Sequence, residues 1–198
     1  MQQDLGDFFY SKVLNAVRII EEARVLFGEI ALSYNGGKDC TVLLEIIEYF
    51  SIDIPVVVFS EPNTFLEIIH FAKERLKKSR VRHFYLSDNI GLELKYLVAN
   101  GVKGVVLGQR SLDPARPTGY YEQSTPGWED YVRIFPIFNW TYQDIWYFID
   151  YTNTQYCSLY SQGYTSIGSI YTTIPNPKLL GRHARELLNE HDERLGRI

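Results

Sequence analysis

Apolar positions along the chain recur at two alternating periods. Phe9, Val13, Ala16, Val17, Ile20 and Ala23 keep helical spacing, which predicts an amphipathic helix over residues 8–27. A short apolar strand is predicted at 29–33. It breaks at Gly36-Gly37 into a second helix, apolar on most sides, that runs to about Phe50. Ile54-Pro55-Val56-Val57-Val58-Phe59 is a β-branched run of the kind buried on both faces of a parallel sheet, and Ser60-Glu61-Pro62-Asn63 closes it as a turn. The stripe Phe65, Ile68, Ile69, Ala72 and Leu76 predicts a crossover helix; a third strand is expected at 83–86, a helix closed by Gly101 at 90–100, and a fourth strand at 102–107. Residues 108–130 show no regular period, and a fifth strand is expected at 132–137. Thr141 and Asp144 stand at the spacing of a reciprocal helix cap, and Trp140 at that of a staple onto Ile145. This alternation predicts an α/β fold: a doubly wound, mostly parallel sheet with helices on both faces and ligands at the carboxyl ends of its strands. We read residues 1–198 as a single domain, with 1–137 as the α/β core and 138–198 as a C-terminal extension of loops and helix.

The break at Ser33-Tyr34-Asn35-Gly36-Gly37-Lys38-Asp39 carries the first candidate chemistry. Two glycines let backbone amides converge without a Cβ between them, the new helix adds its partial positive charge, and Lys38 adds a mobile full one. The loop is not a Walker A, which needs two glycines five apart and a hydroxyl after the lysine; here Asp39 follows Lys38. An ordinary glycine turn between strand and helix is the bland alternative. A second loaded segment is Gly108-Gln109-Arg110-Ser111-Leu112-Asp113-Pro114. A guanidinium there can span two phosphate oxygens, and a carboxylate three residues on can order it or hold a metal; a surface salt bridge in a turn is the alternative.

These strings resemble the S-x-G-G-K-D loop and the G-x-R-x-x-D-P segment of the PP-loop ATP pyrophosphatases. The wording S-Y-N-G-G-K-D-C is similar to eukaryotic-type FAD synthetases (FMN adenylyltransferases), with Asn35 where most of the superfamily carries Gly. The segment Tyr156-Cys157-Ser158-Leu159-Tyr160-Ser161-Gln162-Gly163-Tyr164-Thr165-Ser166-Ile167-Gly168 and Asn176-Pro177 resemble the same family, as does the tail Glu193-Arg194-Leu195-Gly196-Arg197. The resemblance covers most of residues 30–177 and implies transfer of AMP from ATP to FMN, giving FAD and pyrophosphate. It implies an ATP site of Ser33, Tyr34, Asn35, Gly36, Gly37, Lys38, Asp39, Phe59, Ser60, Arg110, Arg194 and Arg197, with Phe59 and Ser60 beside the adenine. It implies a flavin site of Asp113, Trp128, Arg133, Tyr164, Thr165 and Ser166, with Trp128-Glu129 in place of the family's Trp-Pro. Catalysis is expected from Asn35, Asp39, Asp113, Arg194 and Arg197, with Mg2+ near Asp39 or Asp113. Arg182 and Arg185, also three apart, compete with the tail pair for the triphosphate.

Two rival readings share these loops. A PAPS or APS reductase needs a nucleophilic cysteine near the C-terminus, and no cysteine follows Cys157. A nucleotide- or flavin-binding module would hold the same ligands without turnover.

Composition narrows the field further. The 198 residues, 45% hydrophobic and 22% charged, suffice for one sizeable core, and a net charge of -4 with pI near 5.6 argues against a nucleic-acid binder. The basic run from Lys73 to Arg82 reads as a solvated helix face. Cys40 and Cys157 lie far apart, and His70, His83, His183 and His191 show no ligand spacing, so a structural metal is not expected. Asp4 and Asp7 stand where a targeting segment would be basic, and no apolar run reaches transmembrane length. A monomeric cytoplasmic protein acting on small molecules is expected.

Overall fold

The computed structural model describes residues 6–59, 63–85, 90–114 and 117–198. The chain begins with helix α1 (Asp7–Phe27) and enters the sheet at β1 (Ile30–Tyr34). It then alternates through α2 (Lys38–Tyr49), β2 (Val56–Val58), α3 (Leu66–Lys77), β3 (His83–Tyr85), α4 (Ile90–Ala99) and β4 (Gly104–Val106). A hairpin, β5 (Tyr121–Gln123) and β6 (Val132–Ile134), and helix α5 (Tyr142–Thr152) complete the regular elements. The doubly wound prediction therefore holds, with strands shorter than expected.

The six strands pair in the order β3-β2-β1-β4-β6-β5, all parallel except the edge strand β5. Chain direction across the sheet reverses between β1 and β4, so the loops leaving these two strands diverge and open a crevice at their carboxyl ends. Both candidate loops emerge there. The register pairs Leu32 with Val106 and Val106 with Ile134, so β4 and β6 end level and β1 runs two residues further, to Tyr34.

Alternation of side chains sorts the sheet into two faces. Ile30, Leu32, Val56, Val106 and Ile134 join the main core with α1, α2, α3 and α5 residues such as Val13, Leu43, Leu76 and Ile145. Ala31 and Val57 point the other way and pack with Leu97 of α4. On α2, Val42, Leu43, Leu44, Ile46 and Ile47 are buried, each contributing roughly 1.5–3 kcal/mol, and this seats the helix N-terminus beneath the crevice.

Local signals read from the sequence are realised at helix ends. α4 closes as a Schellman turn, with Gly101 N–H donating to Val98 O (3.0 Å) and Val102 N–H to Leu97 O (3.1 Å), and Gly101 adopts φ +93°. α5 opens with the reciprocal cap: Asp144 N–H donates to Thr141 Oγ1 (3.1 Å) and Thr141 N–H to Asp144 Oδ2 (2.7 Å).

Two expectations are corrected. The segment 108–130 contains β5, three residues whose alternation is too short to register as a period but which pair antiparallel with β6. The C-terminal extension is built from turns and three short 3-10 segments (Ser158–Gln162, Ala184–Glu186, Glu190–Asp192) rather than from an α-helix after α5. Its Leu159, Tyr160, Leu179, Ala184 and Leu187 nevertheless pack into the main core. Among the described residues no helix is long and apolar enough to cross a membrane.

Candidate functional site

Gly36 is the turning point of the glycine loop. It adopts φ +81°, where a side chain is strained, and a Cβ there would lie 3.1 Å from Ile68 O on α3. Gly37 is extended (φ -66°) and serves as N-cap of α2. Asn35 folds back over the loop: its Oδ1 accepts from Gly37 N–H (3.0 Å) and from Cys40 Sγ (3.0 Å). The asparagine thus supplies an acceptor that a glycine in its place would lack. Burial pushes the Cys40 thiol up to about 12, so it serves here as a weak donor rather than as a thiolate.

Two adjoining cavities open along this loop. One, of about 360 Å³, is lined by Ser33, Asn35, Gly37 and Asp39 from the β1 side, Gly108 and Asp113 from the β4 side, and Ser166, Arg194 and Arg197 from the C-terminal extension. The other, of about 100 Å³, is apolar and lined by Val58, Phe59, Ile68, Ala72 and Tyr85; it shares Asn35, Gly37 and Ile167 with the first. Gly108 permits this closeness, because a Cβ there would fall 2.9 Å from the amide nitrogen of Cys40.

A buried charge cluster lies at the base of the larger cavity. Lys38 is 2% exposed, and its Nζ stands 2.9 Å from Asp39 Oδ2 and 2.5 Å from Glu193 Oε1. Arg110 is 3% exposed, with Nη2 2.5 Å from Glu193 Oε2 and 3.6 Å from Asp113 Oδ1, and with Nε 3.1 Å from Asp39 Oδ1. The Nε contact is a close charge pair whose angle falls short of a hydrogen bond, leaving both atoms without a hydrogen-bond partner. Burial alone would push Lys38 and Arg110 toward neutrality, but the surrounding carboxylates outweigh it and raise both, so both cations stay charged. Burial likewise opposes the charge on Asp39, yet Lys38 and Arg110 hold its carboxyl below the usual range. Asp113 goes the other way: burial raises it, Arg110 opposes, and Asp39 adds to the rise.

These contacts correct several expectations. Lys38 is not a mobile charge but a buried, doubly paired one. Its backbone N–H is also taken, donating to Tyr160 Oη at 2.9 Å. Arg110 does not line either cavity; its guanidinium faces three carboxylates rather than the open space. The Tyr34 ring is fully buried, with its hydroxyl 3.3 Å from Thr41 Oγ1, so only its backbone borders the loop. Phe59 lines the apolar cavity. Ser60 lies outside the described residues.

The expected flavin residues fall in two places. Tyr164 packs edge-on against Phe65, and Thr165 is buried, donating to Glu193 O (2.6 Å) and accepting from Asn176 Nδ2 (3.0 Å). Both are structural contacts; only Ser166 of this trio lines the larger cavity. Arg133 sits in β6 on the face shared with Val105 and is paired with Glu122 (3.1 Å), while Trp128 is 51% exposed in the turn between β5 and β6, at the amino end of the parallel strands. Neither lines the two cavities.

The two arginine pairs occupy different places. Arg194 and Arg197 line the larger cavity, each with an Nη1 3.4 Å from Ser166 Oγ. Arg182 instead pairs with Glu186 and Arg185 with Asp150, outside it. Glu193 went unnoticed as a candidate; its place immediately before the tail arginines was the available signal. Among the described residues no three His, Cys, Asp or Glu side chains group to hold a metal ion, and Asp39 and Asp113 are both paired with Arg110. The residues thus do not form a metal cage of their own.

Known proteins resemble this chain in sequence and in fold. The model of the phosphoadenosine phosphosulfate reductase domain matches residues 90–175. A protein of Schizosaccharomyces pombe named probable FAD synthase is 34% identical over 165 residues, covering 76% of this chain and 62% of its own. The flavin adenine dinucleotide synthase of Saccharomyces cerevisiae is 30% identical over 78% of this chain and 60% of its own. The chain therefore spans less than two thirds of the length of these curated relatives. The crystal structure of Candida glabrata FMN adenylyltransferase in complex with ATP superposes with a TM-score of 0.84 at 23% identity, covering all of this chain and 90% of the other. Likeness to FAD synthases in sequence, and the sharing of their fold, are thereby shown.

Proposed function

We propose that this chain is a nucleotidyltransferase that moves AMP from ATP to the phosphate of FMN, giving FAD and pyrophosphate. The observation that carries this reading is the joined pair of cavities at the switch between β1 and β4: an apolar slot sized for a base, opening directly into a polar cavity bordered by helix α2's N-terminus and two arginines. The relatives' names and the FMN adenylyltransferase fold support it.

In this reading the adenine occupies the slot beside Phe59, and the triphosphate crosses Asn35 and Gly37 toward Arg194 and Arg197. FMN brings its own phosphate oxyanion, so no side-chain nucleophile is needed. That oxyanion attacks the α-phosphorus in line, a new P–O bond forms, and the bond to the bridging oxygen of the β-phosphate breaks. The protein's share is alignment and charge. Loop amides, the helix dipole and the tail arginines stabilise the departing pyrophosphate in a partly enclosed site. Magnesium, when present, arrives with the nucleotide as part of the substrate. Asp113, at the cavity wall, faces the path of the attacking phosphate. The flavin ring is assigned to the Arg133 face of β6, whose carboxyl end lies beside Leu107 at the cavity and whose amino end leads toward the exposed Trp128.

The test is FMN-dependent release of pyrophosphate from ATP with matching FAD formation, read by chromatography. Binding of both ligands without release would favour a non-catalytic module, and sulfite release from PAPS would favour a reductase.

A further inference from the structure

We propose that Glu193 is a positioning residue that sets Arg194 and Arg197 against the pyrophosphate end of the site. The inference rests on the reading above for the identity of the anion, but its geometry stands independently.

Glu193 is 8% exposed, and each of its carboxylate oxygens takes a different cation: Oε1 lies 2.5 Å from Lys38 Nζ and Oε2 lies 2.5 Å from Arg110 Nη2. Lys38 opens α2 and Arg110 follows β4, so one carboxylate fastens the tail to both loops that flank the switch point. The backbone of Glu193 is held as well, since Thr165 Oγ1 donates to its carbonyl at 2.6 Å. The backbone just beyond it is closely packed: a Cβ on Gly196 would fall 2.3 Å from Ile174 O, and the Arg197 guanidinium lies against Gly168. Arg194 and Arg197 consequently converge on Ser166.

Charge arithmetic sharpens the role. The buried cluster holds two cations, Lys38 and Arg110, against three carboxylates, Asp39, Asp113 and Glu193, for a net of -1. Lys38 and Arg110 are therefore spent internally, and the positive charge that meets an anion comes from the two tail arginines. By charge alone Glu193 repels an incoming phosphate. Glu193→Gln removes that repulsion, so a purely electrostatic residue predicts anion binding that is unchanged or tighter, and a residue that only stabilises the fold predicts equal loss for pyrophosphate and FMN. A positioning residue predicts weaker pyrophosphate binding with FMN binding unchanged.

The experiment titrates inorganic pyrophosphate, and separately FMN, into the wild-type chain, Glu193→Gln, Arg194→Ala and the double variant. The expected result is about tenfold weaker pyrophosphate binding in Glu193→Gln with FMN binding unchanged, and little further loss when Arg194→Ala is added to it. Pyrophosphate binding as tight as wild type or tighter overturns the proposal, as does an Arg194→Ala effect equal in both backgrounds. Glu193→Asp, which keeps the charge but is one methylene too short to span both cations, is read in the same way; it is expected to fall between wild type and Glu193→Gln, and serves alone if the latter does not fold. A wild-type chain that binds pyrophosphate but forms no FAD refutes the proposed function and leaves this inference intact. A wild-type chain that forms FAD while both Glu193 variants bind pyrophosphate normally refutes only this inference.

Discussion

The hydroxyl of Tyr160 accepts the backbone N–H of Lys38 at 2.9 Å, across 122 positions of sequence. This amide belongs to the first residue of α2, where helices present unpaired donors to anions. Burial raises the Tyr160 hydroxyl far above its ordinary value, so it remains neutral and acts as a polar stand-in at the helix terminus. Tyr160→Phe leaves that amide unpaired in the free protein, at a cost of about 1–3 kcal/mol. A phosphate oxygen can then satisfy it. The variant is expected to melt at a lower temperature and to bind pyrophosphate more tightly, as read by calorimetric melting and titration. Weaker binding would show that the hydroxyl itself holds the phosphate.

The two glycines of the loop are predicted to differ sharply. Gly36 needs φ +81° and has backbone 3.1 Å from where a Cβ would stand, so Gly36→Ala is expected to destabilise by about 1–3 kcal/mol and to weaken ATP binding. Gly37 is extended, and its Cβ would meet the end of the Asn35 side chain at 3.0 Å and the Tyr160 hydroxyl at an ordinary 3.8 Å. Gly37→Ala should therefore melt close to wild type. Equal melting temperatures for the two variants would contradict the assignment of the turn to Gly36.

Between the arginine pairs, Arg194→Ala and Arg197→Ala are expected to raise the KM for ATP by about tenfold or more each, as loss of a charge-assisted phosphate contact does. Arg182→Ala and Arg185→Ala should leave it unchanged, because those side chains are engaged with Glu186 and Asp150. Steady-state kinetics at saturating FMN separate the two outcomes.

Asp113 should show a conflict between stability and activity. Its folded-state carboxyl is raised above the unfolded value, so its favourable contribution is complete below the unfolded carboxylate range and is lost as pH rises through the folded value. Asp113→Asn removes that loss while Oδ1 can still accept the Arg110 N–H that Asp113 Oδ2 now takes at 2.8 Å. The variant is expected to melt above wild type at neutral pH, with the gap closing at about pH 3, below the ordinary aspartate range. FAD formation is expected to fall by about tenfold or more. Near wild-type turnover would remove Asp113 from the mechanism.

What the sequence by itself determined is everything that a local period or a local turn encodes. The strand-and-helix alternation, the Gly36 break, the Schellman close at Gly101 and the Thr141–Asp144 cap all depend on neighbours within a few residues, and all are found where the pattern put them. The tertiary structure alone decided how charge is distributed in the site. Lys38 and Arg110 read as phosphate ligands in the sequence, where the acids near them are Asp39 and, three residues after Arg110, Asp113. The fold adds Glu193, 155 positions from Lys38 and 83 from Arg110, as the carboxylate that pairs with both cations at once. It likewise decided that Tyr164 packs on Phe65 and Thr165 holds the tail while Arg133 lies in β6 away from both, and that three residues of an aperiodic loop form β5. The physical reason is common to these cases. A backbone hydrogen bond or an apolar stripe repeats along the chain, whereas a buried charge is stabilised by whichever opposite charge the fold brings within a few ångströms, and that distance has no counterpart in sequence separation.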